Sequence, residues 1–148
     1  MVLYLGPAGE AAGFGERGDV APGGVLHHSI GINHLIYMKR YCQTLDLYED
    51  PELIEAYVKE HRQVWDEIKE GIRSVGILDM QIYILANRLF MIVDTTDEFD
   101  WEKDNARLAT LPRQAEWEAR MSKFQVSRPG QASHQKWQLM EQIFGLND

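Results

Sequence analysis

Apolar side chains recur every three or four residues between positions 51 and 75, which is the spacing of one face of an α-helix. Asp50 suits the N-cap, and Pro51 suits the first turn, where its missing N–H is not needed. Gly76 suits the C-cap. The apolar side chains form one stripe along the helix. It comprises positions 54, 57, 58, 61, 64, 65, 68, 72 and 75, where the imidazole at 61 is counted with the apolar side chains. The pattern therefore predicts one long helix that buries a single face.

A β-strand is predicted on the N-terminal side of this helix. Residues 36–47 alternate between two faces with the period of two that a strand requires. One face carries Tyr41, Gln43, Leu45 and Leu47, and the other carries Arg40, Cys42 and Thr44. The first face is the more apolar and is expected to lie against the core.

Two further strands are predicted after the helix. The second strand covers residues 77–85, with Leu78, Met80, Ile82 and Ile84 on its apolar face and Asp79, Gln81 and Tyr83 on the other. Residues 86–88 form a short connection in which an asparagine can take a positive φ. The third strand, 89–95, is almost continuously apolar and is expected to be central and buried on both faces.

The C-terminal third predicts a second helical region and a last strand. A helix begins within residues 97–105 and is interrupted at Leu111 and Pro112. It resumes over 113–124, with Trp117, Met121 and Phe124 on one face. Residues 126–133 are predicted to be a loop, and 137–144 the final strand. The order β-α-β-β-α-β predicts an α+β domain of the ferredoxin-like type.

Composition limits the classes of partner. The 148 residues, of which 45% are hydrophobic and 26% charged, suit one soluble domain with a real core. The net charge of −8 argues against binding nucleic acid or an anionic membrane surface. Cys42 is the single cysteine, which excludes an intramolecular disulfide and a thiolate zinc site and favours a cytoplasmic location. No apolar run approaches the ~20 residues that cross a bilayer.

Residues 1–36 differ from the remainder of the chain. They are rich in glycine and small residues without a stable period, so we predict a flexible or poorly packed arm followed by one domain over 37–148. His27, His28 and His34 lie in this stretch without acidic or cysteine partners at metal-ligand spacing, and are expected to be incidental surface residues.

The motifs that hold phosphates, nucleophiles or zinc are missing. The sequence contains no GxGxxG or Walker pattern, no GxSxG elbow and no zinc-binding His/Glu helix motif. What remains is a set of His, Tyr, Trp and carboxylate residues that suits proton transfer on a neutral, ring-shaped ligand without a cofactor. His61 stands on the buried stripe between Tyr57 and Trp65, so the pattern by itself leaves it open between a core residue and an acid/base group.

Several segments together resemble the L-rhamnose mutarotase family, which also contains L-fucose mutarotases. They are the run Tyr57–Ile68 with its Tyr-x-x-x-His-x-x-x-Trp spacing, Gly76, Tyr83, the turn Asn87-Arg-Leu-Phe90, Trp117, and the closing Gln138–Phe144. The resemblance covers about residues 38–146. It implies a dimeric α+β barrel, and therefore a homodimer, with a monosaccharide as ligand and with no cofactor or metal.

The resemblance also implies roles for individual residues. His61 matches the family's proton donor, and Tyr57 its helix tyrosine. Glu116 and Trp117 match a tryptophan pair of which one member is lost here. A tyrosine of the rhamnose enzymes aligns with Met80. These two departures leave the sugar open between L-fucose and L-rhamnose.

Trp65, one predicted turn after His61, is a further candidate for contact with the sugar. The general base stays open between water, Tyr57 and Glu116. The expected reaction is the interconversion of α and β anomers of a 6-deoxyhexose.

Three other interpretations are compatible with the residues. The same scaffold can hold a non-catalytic sugar-binding or small-molecule-binding module, a cofactor-independent monooxygenase, or a structural interaction protein. Ligand binding without faster anomer exchange indicates the first, and oxygen uptake indicates the second. A His61 ring enclosed by apolar side chains, or directed into bulk water, would contradict the sugar-isomerising interpretation.

Overall fold

The computed structural model describes residues 28–30, 36–128 and 130–148. Five strands pair in one sheet, and helices connect them. The strands are β1 (His28–Ile30), β2 (Ile36–Asp46), β3 (Ile77–Leu85), β4 (Arg88–Thr96) and β5 (Gln138–Met140). The helices are α1 (Pro51–Glu60), α2 (Asp66–Ser74), α3 (Trp101–Leu108), α4 (Gln114–Ser122) and α5 (Ser133–Lys136), with a 3₁₀ turn at His61–Gln63.

The sheet is antiparallel throughout, with β4 between β2 and β3 and with β1 and β5 both pairing with the other edge of β2. Strands β2 and β3 therefore run in the same direction on either side of β4, connected by α1 and α2. This is the split β-α-β arrangement of a ferredoxin-like α+β fold, as predicted. The third predicted strand is central, as expected. The prediction that it is buried on both faces is wrong at Phe90 and Ile92, which are only half-buried because they point away from the core.

One face of the sheet carries the core. Tyr41, Leu45, Leu89, Met91 and Val93 are all buried there and join side chains from the helices in one cluster. The alternation in β2 places Arg40, Cys42 and Thr44 on the other face, where they are only half-buried. The prediction for the first strand is confirmed, because period-two alternation leaves a single register that buries the apolar side chains.

The predicted apolar face of the second strand is wrong at its first residue. The pairing of β3 with β4 is irregular between Ile77 and Asp79, as in a β-bulge. The extra residue shifts the alternation, so Ile77 is buried at 4% exposure while Leu78 is 49% exposed. Beyond the bulge, Met80 pairs with Val93 and keeps the predicted core-facing orientation.

The single long helix predicted from Pro51 is wrong, because the chain breaks into two helices. Helix α1 ends at Glu60, and after the 3₁₀ turn Val64 and Trp65 are extended, with ψ of 134° and 142°. Helix α2 then begins at Asp66, and Asp66 and Glu67 place negative charge at its N-terminus, where the helix dipole favours it. The predicted N-cap of the first helix is confirmed, since the Asp50 side chain accepts a hydrogen bond from the Glu52 N–H at 2.9 Å.

The C-terminal part follows the prediction with shorter elements. Helix α3 begins after Asp100, whose side chain accepts from the Lys103 N–H at 2.7 Å. Helix α4 buries Met121 as predicted. The predicted loop 126–133 ends where α5 begins. The predicted last strand was too long, since only Gln138–Met140 pair with β2 and residues 141–145 have no regular structure.

The predicted N-terminal arm, with His27 and His34, lies mostly outside the described residues. Within it the structure describes the backbone of β1, which contains His28 and pairs with residues 36–38 of β2. The division into an arm and a domain over 37–148 stays a prediction.

Candidate active site

A cavity of about 520 Å³ lies between the core face of the sheet and the helices. Its walls combine apolar side chains of the sheet with aromatic and polar side chains of α1, α3, α4 and the segment 130–137. Those used below are Gln43, Tyr57, His61, Met80, Trp117, Glu118, Ser122, Gln125 and His134. The volume and the mixed lining suit a small neutral ligand.

His61 lies where α1 ends, at the wall of this cavity. Its Nδ1 is 2.9 Å from the carbonyl oxygen of Tyr57. Because a carbonyl only accepts, Nδ1 carries the hydrogen, and Nε2 is left without a hydrogen bond to any described residue. The ring is half-buried. Burial lowers the pKa of His61, although the bond to Tyr57 and the charge of Glu60 act in the opposite direction.

Aromatic rings surround this imidazole on two sides. The Tyr57 ring centroid is 4.3 Å from that of His61, and the Trp117 ring meets His61 edge-on at 5.6 Å. Trp65 meets Trp117 edge-on at 5.2 Å and is itself covered by the Arg113 guanidinium, 3.8 Å from its ring centroid. Trp117 lines the cavity, whereas Trp65 is not among the lining residues. Trp65 thus supports the wall from behind.

Tyr57 is 3% exposed and forms part of both the core and the cavity wall. Burial raises its pKa to about 12; a hydrogen bond with Gln125 opposes this, and the negative charge of Glu118 adds to it. The phenol is therefore neutral at physiological pH. It can donate or accept a hydrogen bond, but it is a poor reservoir of phenolate base.

The two residues in which the chain departs from the family pattern are placed differently. Met80 lines the cavity from the sheet side. Glu116 is exposed and forms a two-pronged ion pair with Arg113, with N–O distances of 3.1 and 3.3 Å. That pairing lowers the pKa of Glu116. Glu116 is not among the residues lining the cavity, so this placement disfavours direct contact with a ligand.

The sequence patterns did not identify the other polar residues of the wall. Gln43 is 1% exposed, and its Nε2 is the one buried side-chain nitrogen or oxygen of the described residues that has no hydrogen-bond partner. The sequence does carry a signal for Gln43, because it is a polar residue on the otherwise apolar face of the first predicted strand. The rotation of α4 about its axis and the path of the chain after it bring three further polar residues to the cavity, namely Glu118, Gln125 and His134.

Within the described ranges no group of three or more His, Cys, Asp or Glu residues could hold a metal ion. In the same ranges no helix has the length and apolar character needed to span a membrane.

A model of the family described as L-rhamnose mutarotase matches residues 40–146. The chain belongs to this family. The L-fucose mutarotase of Xanthomonas campestris pv. campestris is 36% identical over 113 residues, which cover 75% of this chain and 90% of that protein. A UPF0734 protein of Dictyostelium discoideum is 37% identical over 113 residues, covering 74% and 90% respectively.

A solved structure supports the fold independently. An L-rhamnose mutarotase of Formosa agariphila matches with a TM-score of 0.55 at 20% sequence identity, covering 72% of this chain and 97% of that one. At this identity the likeness concerns the fold alone. It agrees with the ferredoxin-like arrangement that the described strands show.

Proposed function

We propose that this member of the L-rhamnose mutarotase family interconverts the α and β anomers of a 6-deoxyhexose such as L-fucose or L-rhamnose. The observation that carries the proposal is the position of His61 at the wall of a cavity of about 520 Å³, where its Nε2 has no hydrogen-bond partner among the described residues. Of the two sugars we favour L-fucose, since a relative of that name is 36% identical over most of both chains.

His61 is proposed to be the general acid. Ring opening requires a proton to leave the anomeric hydroxyl and another to reach the ring oxygen. With Nδ1 bonded to the Tyr57 carbonyl, a protonated His61 presents its second N–H to the ligand from a ring held in one orientation. The carbonyl at C1 then rotates, and the ring closes on its other face as the protons return.

The neighbouring side chains are proposed to place the sugar. Trp117 offers an aromatic surface for the C–H face of a pyranose, and Met80 offers an apolar contact from the sheet side. Tyr57 orients His61 through its carbonyl, and its neutral hydroxyl can bond a sugar hydroxyl. Trp65 contributes by holding Trp117.

We also propose a homodimer, which family membership implies. The sheet face opposite the core carries the half-buried Cys42, Thr44, Phe90 and Ile92, in the positions where a second sheet would pack.

The decisive experiment replaces the proposed acid. His61→Ala should lower the anomer-exchange rate about 10²–10⁴-fold, the range for removal of one acid/base group. Saturation-transfer NMR measures the exchange directly on a panel of 6-deoxy and ordinary hexoses, and circular dichroism checks that the variant is folded. His61→Asn, whose amide nitrogen takes the place of Nδ1 and can still donate to the Tyr57 carbonyl, controls for loss of that hydrogen bond.

Two outcomes would contradict the proposal. Exchange at the wild-type rate in folded His61→Ala would remove His61 from the mechanism. Sugar binding by the wild type without any acceleration of exchange would instead identify a non-catalytic binding module on the same scaffold.

A further inference from the structure

Glu118 is the one carboxylate among the described residues that line the cavity. It lies on α4, immediately after Trp117, and its side chain is 27% exposed. Its Oε1 accepts from the ammonium of Lys136, whose side chain is only 3% exposed. A carboxylate in a ligand cavity, bound at one oxygen by a buried cation, has its other oxygen available to a ligand.

Lys136 is held in turn by two further residues. Its Nζ donates to Ser122 Oγ at 2.7 Å and to Gln125 Oε1 at 3.5 Å, so all three of its N–H groups have acceptors. Gln125 is also hydrogen-bonded to Tyr57. The carboxylate of Glu118 is therefore fixed by a buried network that ends at the tyrosine beside His61.

Two observations connect Glu118 with the surroundings of His61 in the cavity wall. The Trp117 ring, on the residue before Glu118, touches His61 at 5.6 Å between centroids. The Tyr57 ring is 4.3 Å from His61, and Tyr57 is close enough to Glu118 to sense its charge. His61 touches Tyr57 directly, and Glu118 is joined to Tyr57 through Lys136 and Gln125. An acid and a carboxylate in one cavity wall suit a reaction that moves two protons.

The other candidates for a base are less suitable. The Tyr57 phenol is kept neutral by burial. Glu116 is exposed and paired with Arg113 away from the cavity. His134 lines the cavity, but its Nε2 is 3.1 Å from Glu102 of α3, without a contact to Tyr57 or His61. Glu118 is the candidate that combines access to the cavity, a fixed orientation and a hydrogen-bonded link through Lys136 and Gln125 to Tyr57.

We propose that Glu118 is the general base that takes the proton of the anomeric hydroxyl, and that Lys136 is the positioning residue that aims it. This inference rests on the proposed mutarotase function. In ring opening the O1–H proton passes to Glu118, the C1–O5 bond breaks with its electrons going to O5, and His61 protonates O5 while C1=O forms. In closure O5 returns its proton to His61 as it attacks C1, and Glu118 returns its proton to O1.

The first test variant is Glu118→Gln, which keeps the size and removes the basic oxygen. The exchange rate at saturating sugar should fall about 10²–10⁴-fold. Because removing one partner of a buried ion pair destabilises a protein, this variant alone can fail to fold. The double variant Glu118→Met/Lys136→Met replaces both charges by apolar side chains of similar length, which folded proteins often tolerate.

The double variant separates a structural role from a catalytic one. If Glu118 is the base, the folded double variant shows the same loss in kcat, measured by the dependence of NMR exchange on sugar concentration. A folded double variant with wild-type kcat, or with a change confined to KM, would overturn the proposal. Asp46→Asn is the matched control, because it removes a carboxylate from the exposed ion pair with Arg88 outside this cavity and should leave exchange unchanged.

Failure of this inference is distinguishable from failure of the proposed function. If the wild-type protein accelerates anomer exchange and the double variant is folded and equally active, only the role of Glu118 is wrong. If the wild type accelerates the exchange of no sugar in the panel, the mutarotase proposal is wrong and the assignment of Glu118 falls with it.

Discussion

The imidazole of His61 has one nitrogen bound to the protein and one available to a ligand. The Tyr57 carbonyl holds the first at 2.9 Å, which determines the tautomer of the neutral ring as well as its orientation. Burial opposes the charged form and lowers the pKa. A protonated His61 is then a stronger acid than an exposed histidine but is less populated at neutral pH, the balance that general acid catalysis requires.

The lowered pKa of His61 predicts a pH-dependent contribution to stability. The unfolded chain binds this proton more readily than the folded chain, so the free energy of unfolding decreases as the pH falls below the usual value of about 6.5. Above that pH the contribution is constant. Urea unfolding of wild type and His61→Gln between pH 7.5 and 5.5 measures it. The wild type should lose more stability than the variant over this range, because only the wild type carries a histidine whose pKa is lowered by folding. Parallel losses in the two proteins would contradict the shift.

Which single residues reach the cavity was only partly predictable. His61, Tyr57, Trp117 and Met80 were named from the sequence and line the cavity. Glu116 and Glu118 show why others could not be assigned. They are two residues apart on α4, about 200° around a helix, so one faces outward when the other faces inward. The rotation of α4 about its axis depends on packing against the sheet and α2, which local sequence does not specify.

At the scale of elements, the break between α1 and α2 decides where His61 lies. In one continuous helix, His61 and Trp65 would be successive residues of the same stripe. With Val64 and Trp65 extended, His61 instead closes α1 and Trp65 precedes α2, behind Trp117. The periodicity of apolar residues survives such a break, so it predicted helical structure without the interruption. The acidic pair Asp66 and Glu67 was the local signal of a new helix N-terminus.

The turn from α2 into β3 depends on Gly76. Its φ of 99° is a conformation that residues with a Cβ rarely adopt, and an added Cβ would lie 3.0 Å from Thr96 Oγ1. Gly76→Ala should therefore lower the free energy of unfolding by about 1–3 kcal/mol. Urea unfolding monitored by tryptophan fluorescence measures the loss. Gly76→Asn should lose less, since asparagine tolerates positive φ better. Unchanged stability in Gly76→Ala would show that the turn can rearrange.

At the scale of the whole molecule, one face of the sheet packs against the core, and none of the described helices covers the other face. The second face combines the part-buried ion pair Arg40–Asp94, with an N–O distance of 2.7 Å, with the apolar side chains of Ile92 and Phe90. Apolar side chains on an uncovered sheet face suit a partner surface. This supports the proposed homodimer.

Ile92→Arg should convert the proposed homodimer into monomer. Ile92 lies in the central strand between the buried Met91 and Val93, so its side chain points to the uncovered face. A buried, unpaired guanidinium in the interface would oppose association. Sedimentation equilibrium of wild type and variant measures the mass. Glu55→Arg, an exposed change on α1, is the matched control and should not alter it. A monomeric wild type would contradict the proposal.

The sequence by itself determined the elements whose pattern is local: the alternation of β2, the apolar central strand, helical structure after Asp50, and a His61–Tyr57 pair one turn apart. These follow from periodicity and end signals that act within a few residues. Only the tertiary structure decided the helix break after Glu60, the β-bulge after Ile77 and the orientation of the Glu118 side chain toward the cavity. Each of these depends on how packed elements shift and rotate against one another, which contacts distant in sequence determine.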